Sequence, residues 1–118
     1  MANFELPYPP SVNTYYRRVG NRTIISRAGR LYRIQVVNLL TDLSGPMTGS
    51  LRVIIDMYPP DKRRRDVDNI LKALLDALQH AGVYEDDSQI TFLCIARRKP
   101  TKLGRIAVDI TNISKAGE

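Results

Sequence analysis

The sequence holds one cysteine, Cys94, and one histidine, His80. A single thiol excludes an internal disulfide and a cysteine-based zinc site, and it suits a reducing compartment. A single histidine excludes the HExxH zinc motif and leaves little for a hydrolase led by histidine. Long apolar runs are missing too. No stretch approaches the ~20 residues that span a bilayer, and the opening MANFELPYPPS has neither a basic start nor an apolar run, so no signal peptide is read there. The expectation is a soluble cytoplasmic chain with no membrane contact. Acids are scarce over most of the length. Of 12 Asp and Glu residues, seven fall in the 27 positions from Asp61 to Asp87, and the rest of the chain carries 13 cations against 5 anions. The whole has a formal charge of +6 and a pI near 9.8. That balance favours a nucleic-acid partner over an acidic small molecule.

At 118 residues, 43% of them apolar and 25% charged, residues 1–118 are read as one domain with a real core. Phe4 to Leu6 suits a short strand, stopped by Pro7, Pro9 and Pro10. Ser11 to Gly20 reads as a polar loop in which Tyr15 and Tyr16 are available for packing or base stacking and Arg17 and Arg18 for phosphate. Thr23 to Ile25 is a brief β-branched run. Ser26 then caps a helix from Arg27 to Leu43, with Gly29 weakening its first turn. Leu31, Ile34, Val37 and Leu40 or Leu39 recur as its apolar face, and Ser44-Gly45-Pro46 ends it. Leu51 to Met57 is a strand closed by Pro59 and Pro60. A central helix starts near Asp68 with a buried stripe of Ile70, Leu71, Leu74, Leu75 and Leu78, and stops at Gly82. Strands Ile90 to Ala96 and Arg105 to Ile113 follow as an expected hairpin across Lys-Pro-Thr-Lys-Leu-Gly, before a frayed tail from Ser114. The order predicts an α/β (α+β) fold: a mixed β-sheet with two main helices packed on it.

The acid-rich stretch carries the chemistry. It opens on four cations, Lys62, Arg63, Arg64 and Arg65, passes to Asp66 and Asp68, continues through a helix bearing Lys72, and closes on Glu85, Asp86 and Asp87. On a helix, Asp68 and Lys72 are one turn apart and about 40° around the axis, at the edge of the apolar stripe. Asp66 can face the same side if the helix entry is extended. About 12 helical residues carry the chain ~18 Å away, and an extended return after Gly82 spans about as far, so Asp87 can only just reach back; a site completed by a partner subunit is the alternative. Three carboxylates together repel one another unless a cation joins them. Hard oxygen donors select Mg²⁺ or Mn²⁺, which polarises a phosphate and activates water. Lys72 can stabilise charge on the phosphorus centre, and Lys62 to Arg65 can hold flanking phosphates.

Each piece also has a plain structural use. Asp68 suits an N-cap and Asp66 a helix start; Asp86-Asp87 suits a solvated turn, and Lys72 and the four cations suit a wet surface. His80 fits a cation near a helix C-terminus, and Cys94 a small buried residue in a strand. Asp42, Asp56, Asp76 and Asp109 have no neighbours in sequence that argue for function. The combination, rather than any one part, points to a metal-dependent nuclease. A non-catalytic DNA-binding module, whose acids only cap a helix, and a metal-dependent nuclease of flaps or single strands are the alternatives.

The ordered set PYPPSVNTYYRR, PDKRRRDVDNILKALLDAL and AGVYEDDSQI, with a basic strand ending at Arg97, Arg98 and Lys99, resembles the RusA family of Holliday-junction resolvases. The pattern D-x-D-N-x-x-K with a downstream Asp-Asp is its specific part. The resemblance implies a homodimeric endonuclease that cuts four-way DNA junctions with Mg²⁺, or Mn²⁺ in its place, in recombination and repair. It places the catalytic and metal-binding carboxylates on Asp66, Asp68 and Asp87 and the helix lysine on Lys72. Asp87 is preferred to Asp86 through the match to Asp-Ser-Gln-Ile rather than through chemistry. Two symmetric nicks from a chain with one set of acids also favour a two-fold dimer. Such resolvases often travel with phages.

Overall fold

The computed structural model describes residues 2–41 and 43–114. Strand β1 (Ala2–Leu6) leads through a one-turn helix α1 (Val12–Tyr15) into a small hairpin, β2 (Tyr16–Val19) and β3 (Arg22–Ile25), where the sequence suggested a loop as far as Gly20. Helix α2 (Arg27–Leu39), strand β4 (Leu51–Tyr58), helix α3 (Leu71–His80) and strands β5 (Ile90–Arg97) and β6 (Arg105–Asn112) complete the order. The main sheet runs β1-β6-β4-β5, antiparallel except for the parallel β4–β5 pair. It is the expected mixed sheet with helices.

Strand β4 sets the layers. Its alternation puts Leu51, Val53, Ile55 and Met57, all fully buried, on one face. Tyr32 and Val36 of α2 and Leu74, Ala77 and Leu78 of α3 join that core. Ala73 and Ala77, both buried, sit where the sequence reading put Leu71 and Leu75, which are only half-buried. The opposite sheet face is wet, with Asn3, Glu5, Arg52 and Ile54 exposed.

Five sequence readings need correction. Strands β5 and β6 are not a hairpin, because β4 lies between them. A helical crossover from β4 delivers β5 parallel to it, and β6 pairs along the other edge, giving the strand that buries Leu51, Val53, Ile55 and Met57 hydrogen bonds on both sides. The link runs over the end of β4, with Arg98 N and Thr101 N donating to the carbonyls of Met57 and Pro59. Helix α2 stops at Leu39, short of Leu43, and buries Gly29, Tyr32 and Val36. Leu31, Ile34, Val37 and Leu39, the face expected to be inside, are exposed. Helix α3 begins at Leu71, after a 3-10 turn over Val67–Ile70, rather than at Asp68. Cys94 is exposed, on the wet face of the edge strand β5.

Other expectations hold. Ser26 caps α2, accepting from Gly29 N at 3.0 Å. Gly82, at φ +84°, ends the α3 region. Gly29 has a reason beyond weakening a turn: a Cβ there would lie 2.7 Å from the Tyr15 carbonyl oxygen, so its absence lets α2 lie against α1. Asp42 and the tail beyond Ser114 lie outside the described residues.

Candidate active site

The chain leaves β4 through Pro59 and Pro60 into the run of cations, and Asp61 organises that run. Its carboxylate accepts from Arg65 at 2.6 Å, from Arg63 at 3.2 Å and from the Arg63 backbone N–H at 2.8 Å. The Arg65 hydrogen bond, followed by the Arg63 backbone bond, holds the Asp61 carboxyl well below the usual carboxylate range. Arg97, from the end of β5, donates to the Arg65 carbonyl oxygen. Two basic segments separated by 32 positions therefore meet. They form a groove of about 250 Å³ lined by Lys62, Arg63, Arg64, Arg97 and Arg98. Arg98 is bound to Asp56 at 2.8 Å, and Lys99 is exposed nearby in sequence but does not line the groove.

Past this groove the backbone at Asp66 is extended, with φ −75° and ψ 142°, and then tightens into the 3-10 turn. The Asp66 side chain makes no capping hydrogen bond, and Asp68 lies inside the turn rather than ahead of it. Neither acid is used as a cap. Both are exposed, and among the described residues neither joins an ion pair.

Helix α3 carries Lys72 outward and then ends, and the chain is drawn back along the same helix. Tyr84 is buried, and its hydroxyl donates to the Leu75 carbonyl at 2.6 Å. The backbone N–H of Asp87 donates to Gln79 Oε1 at 3.0 Å. Gln89 fixes the turn by accepting from the backbone of Glu85 and Asp86 at 2.9 and 3.0 Å. Asp87 thereby lines a cleft of about 190 Å³ together with Lys72, Leu75, Asp76, Leu71 and Tyr16.

The neighbouring acids Asp86 and Asp87 are employed differently. Asp86 caps the turn over Asp87–Gln89, its Oδ1 accepting from Ser88 N at 3.2 Å. The Ser88 backbone hydrogen bond is the main cause of its lowered pKa. Asp87 has no such duty and faces the cleft. Asp66, Asp68 and Asp87 are hard oxygen donors that, among the described residues, have no cationic partner in a chain rich in cations, a donor set that fits Mg²⁺ or Mn²⁺. In this arrangement no group of three His, Cys, Asp or Glu side chains among the described residues stands close enough to hold a metal ion. Lys72 and Asp87 share the cleft, while Asp66 and Asp68 stand at its helix entry and do not line it.

Of the two tyrosines considered for stacking, Tyr15 is fully buried and cannot meet a base. Tyr16 packs its ring edge-on to Tyr15 at 4.9 Å and lines the cleft. Arg17 and Arg18 lie exposed on β2. Sequence reasoning missed Asp76, which is held by Arg33 at 2.7 Å and receives the Tyr15 hydroxyl. The one signal was its position four residues after Lys72. Burial first, and then the Asp76 bond, push the Tyr15 phenol above its ordinary range.

The match to known proteins covers these same elements. The family described as Endodeoxyribonuclease RusA matches residues 7–113. A protein named crossover junction endodeoxyribonuclease rusA from Enterobacteria phage HK97 is 44% identical over 112 residues, covering 93% of each chain. Proteins of the same printed name from Shigella sonnei and Escherichia coli are 39% and 38% identical over 110 residues, covering 92% of each chain. With nearly the full length aligned at this identity, the cation run, the two-carboxylate helix entry and the returning acid fall within the matched region, and the chain belongs to the RusA family of endodeoxyribonucleases.

Proposed function

We propose that this chain resolves four-way DNA junctions by paired nicks, as a homodimer that uses Mg²⁺ or Mn²⁺, in the cytoplasm of a bacterium or of a phage-infected cell. The observation that carries the reading is the separation of the acids into two sets. Among the described residues Glu5, Asp56, Asp61 and Asp76 are paired with arginines and Asp86 caps a turn, whereas Asp66, Asp68, Glu85, Asp87 and Asp109 are in no ion pair; of these, Asp66 and Asp68 stand at the entry of the helix that carries Lys72, and Asp87 shares the Lys72 cleft. A basic protein that leaves these three unpaired beside phosphate-binding groups has a use for their charge.

Asp66, Asp68 and Asp87 are the residues that would hold the ion, which supplies a Lewis acid for the scissile phosphate and for the attacking water. Lys72, exposed at the mouth of the cleft, donates to a non-bridging phosphate oxygen and offsets the charge that grows there. The Lys62–Arg98 groove holds the flanking strand through its phosphates, giving affinity that falls with salt. Tyr16 presents an aromatic surface beside Lys72 on which a base or sugar can rest.

Two nicks at symmetry-related positions call for two such sites, which an isologous pair of chains provides. Strand β5 is a free sheet edge of eight residues with no proline inside it, and Phe92, Leu93 and Cys94 are exposed along it. An edge of this kind invites a second strand, and a second copy of β5 satisfies both edges at once.

The test is a substrate panel. Purified protein is incubated with a labelled four-way junction, a flap and a linear duplex, in Mg²⁺, in Mn²⁺ or in EDTA. Paired nicks in the junction alone, with either metal ion and not in EDTA, are expected. Preferential flap cleavage would favour a different nuclease, and retarded junction without nicks in either Mg²⁺ or Mn²⁺ would favour a binding module.

A further inference from the structure

The cleft that holds Lys72 and Asp87 also contains a third charged residue, Asp76, to which the reaction proposed above assigns no part. Asp76 lies one helical turn beyond Lys72 on α3, a spacing at which an ammonium and a carboxylate can meet. They do not pair. Asp76 Oδ2 is taken by Arg33 of α2, through Nε at 2.8 Å and Nη2 at 2.7 Å, and by the hydroxyl of the buried Tyr15. Arg33 is itself fixed by a 3.1 Å bond from Nε to the Tyr15 hydroxyl, and its side chain is 23% exposed. A fork held in this way loses little entropy on binding a carboxylate, whereas a lysine on a flexible stem loses more. Arg33 therefore outcompetes Lys72 for Asp76. Among the described residues Lys72 is in no ion pair, although an acid stands one turn away in the same cleft.

We propose that Arg33 is a positioning residue for cleavage: by claiming the Asp76 carboxylate it keeps the Lys72 ammonium free for phosphate. This rests on the role given to Lys72 under the proposed function. Asp76 is then neither a metal ligand nor a proton donor. It is a charge that must be neutralised, in a place where it also fastens α2 and Tyr15 to α3.

The test reads kcat on a saturating four-way junction in Mg²⁺, with the melting temperature as a check on folding. Arg33→Met frees Asp76 to draw Lys72 aside. A partly exposed pair of this kind is worth up to about 1 kcal/mol, so kcat should fall about fivefold. Adding Asp76→Asn removes the competing charge, and the double variant should return to within twofold of wild type even where its melting temperature stays low. In a Lys72→Ala background, Arg33→Met should change kcat by less than twofold, because the group it acts through is gone. Arg33→Lys, which retains the charge but loses the fork, should lower kcat by less than Arg33→Met does. If Arg33→Met does not fold, Asp76→Asn alone decides: kcat within twofold supports the proposal, and a loss as large as that of Lys72→Ala overturns it by making Asp76 part of the chemistry. Wild-type kcat in a folded Arg33→Met, a double variant no faster than the single, or losses that add to that of Lys72→Ala would each overturn it. Should Lys72→Ala itself cut at the wild-type rate, the lysine's role fails and this inference fails with it. A slow Lys72→Ala beside an unimpaired Arg33→Met removes the positioning role alone.

Discussion

Asp86 and Asp87 are chemically identical and adjacent, yet their backbone contexts give them opposite work. Asp86 spends its carboxylate on Ser88 N, whereas Asp87 donates its backbone N–H to Gln79 Oε1 and leaves its carboxylate to the cleft. Asp86→Asn should therefore keep cleavage near wild type and show only a small fall in melting temperature. Lys72→Ala should slow cleavage by about 10²-fold with metal affinity unchanged, as loss of a group that acts on developing charge does. Acid should act elsewhere. Asp61 and Asp86 have folded-state pKa values below their unfolded ones, so their contribution is present above about pH 4 and is lost as pH falls below it. A melting-temperature series from pH 7 to pH 3 should show that loss, with a shallower fall in Asp61→Asn. Equal slopes would remove Asp61 from the account.

Among the elements, α2 carries the clearest energetic consequence. Gly29→Ala would raise helix propensity, yet the new Cβ would meet the Tyr15 carbonyl oxygen and Ile25 Cγ2, each at 2.7 Å. The variant should be destabilised by about 1–3 kcal/mol, visible in urea denaturation, because a backbone atom cannot step aside as a side chain can. An unchanged midpoint would mean that α2 shifts freely.

The same helix shows why sequence was only partly informative. Ser26 was legible as a helix start because capping is local chemistry, whereas Gly29 read only as a weakness in the first turn. The buried face was not. Leu31, Ile34 and Leu39 outweigh Tyr32 and Val36 in apolar content, and only the position of the sheet decides which stripe is covered. The β5–β6 pairing failed for a related reason. A short turn between two β-rich runs resembles a hairpin until β4 is known to need a partner on both edges. In the candidate site, the local spacing of Asp66, Asp68 and Lys72 was readable; Asp87 returns to the Lys72 cleft but does not come close enough to Asp66 and Asp68 to form a group that could hold a metal ion among the described residues. The Arg33–Asp76 contact joins residues 43 positions apart and could not be read.

At the scale of the molecule, charge and symmetry govern. The basic groove and the exposed β2–β3 arginines should make junction affinity fall steeply between low and moderate salt, as released counterions require. Light scattering should give about twice the chain mass of 13.4 kDa, and Phe92→Asp on β5 should return it towards a single chain, whereas Ile34→Asp on α2 should not. A metal held by the folded site should also raise the melting temperature, and the rise should vanish in Asp66→Asn/Asp68→Asn. An equal rise in both proteins would indicate a nonspecific ion effect.

The most direct measurement is cleavage of one labelled four-way junction in Mg²⁺ by wild type, Asp66→Asn, Asp68→Asn, Asp87→Asn and Asp86→Asn, with binding followed on the same samples. The account predicts that the first three variants bind as tightly as wild type, or tighter, and make no nicks, while Asp86→Asn cuts. Nicking at the wild-type rate by Asp66→Asn, Asp68→Asn or Asp87→Asn, or a dead Asp86→Asn beside an active Asp87→Asn, would contradict it.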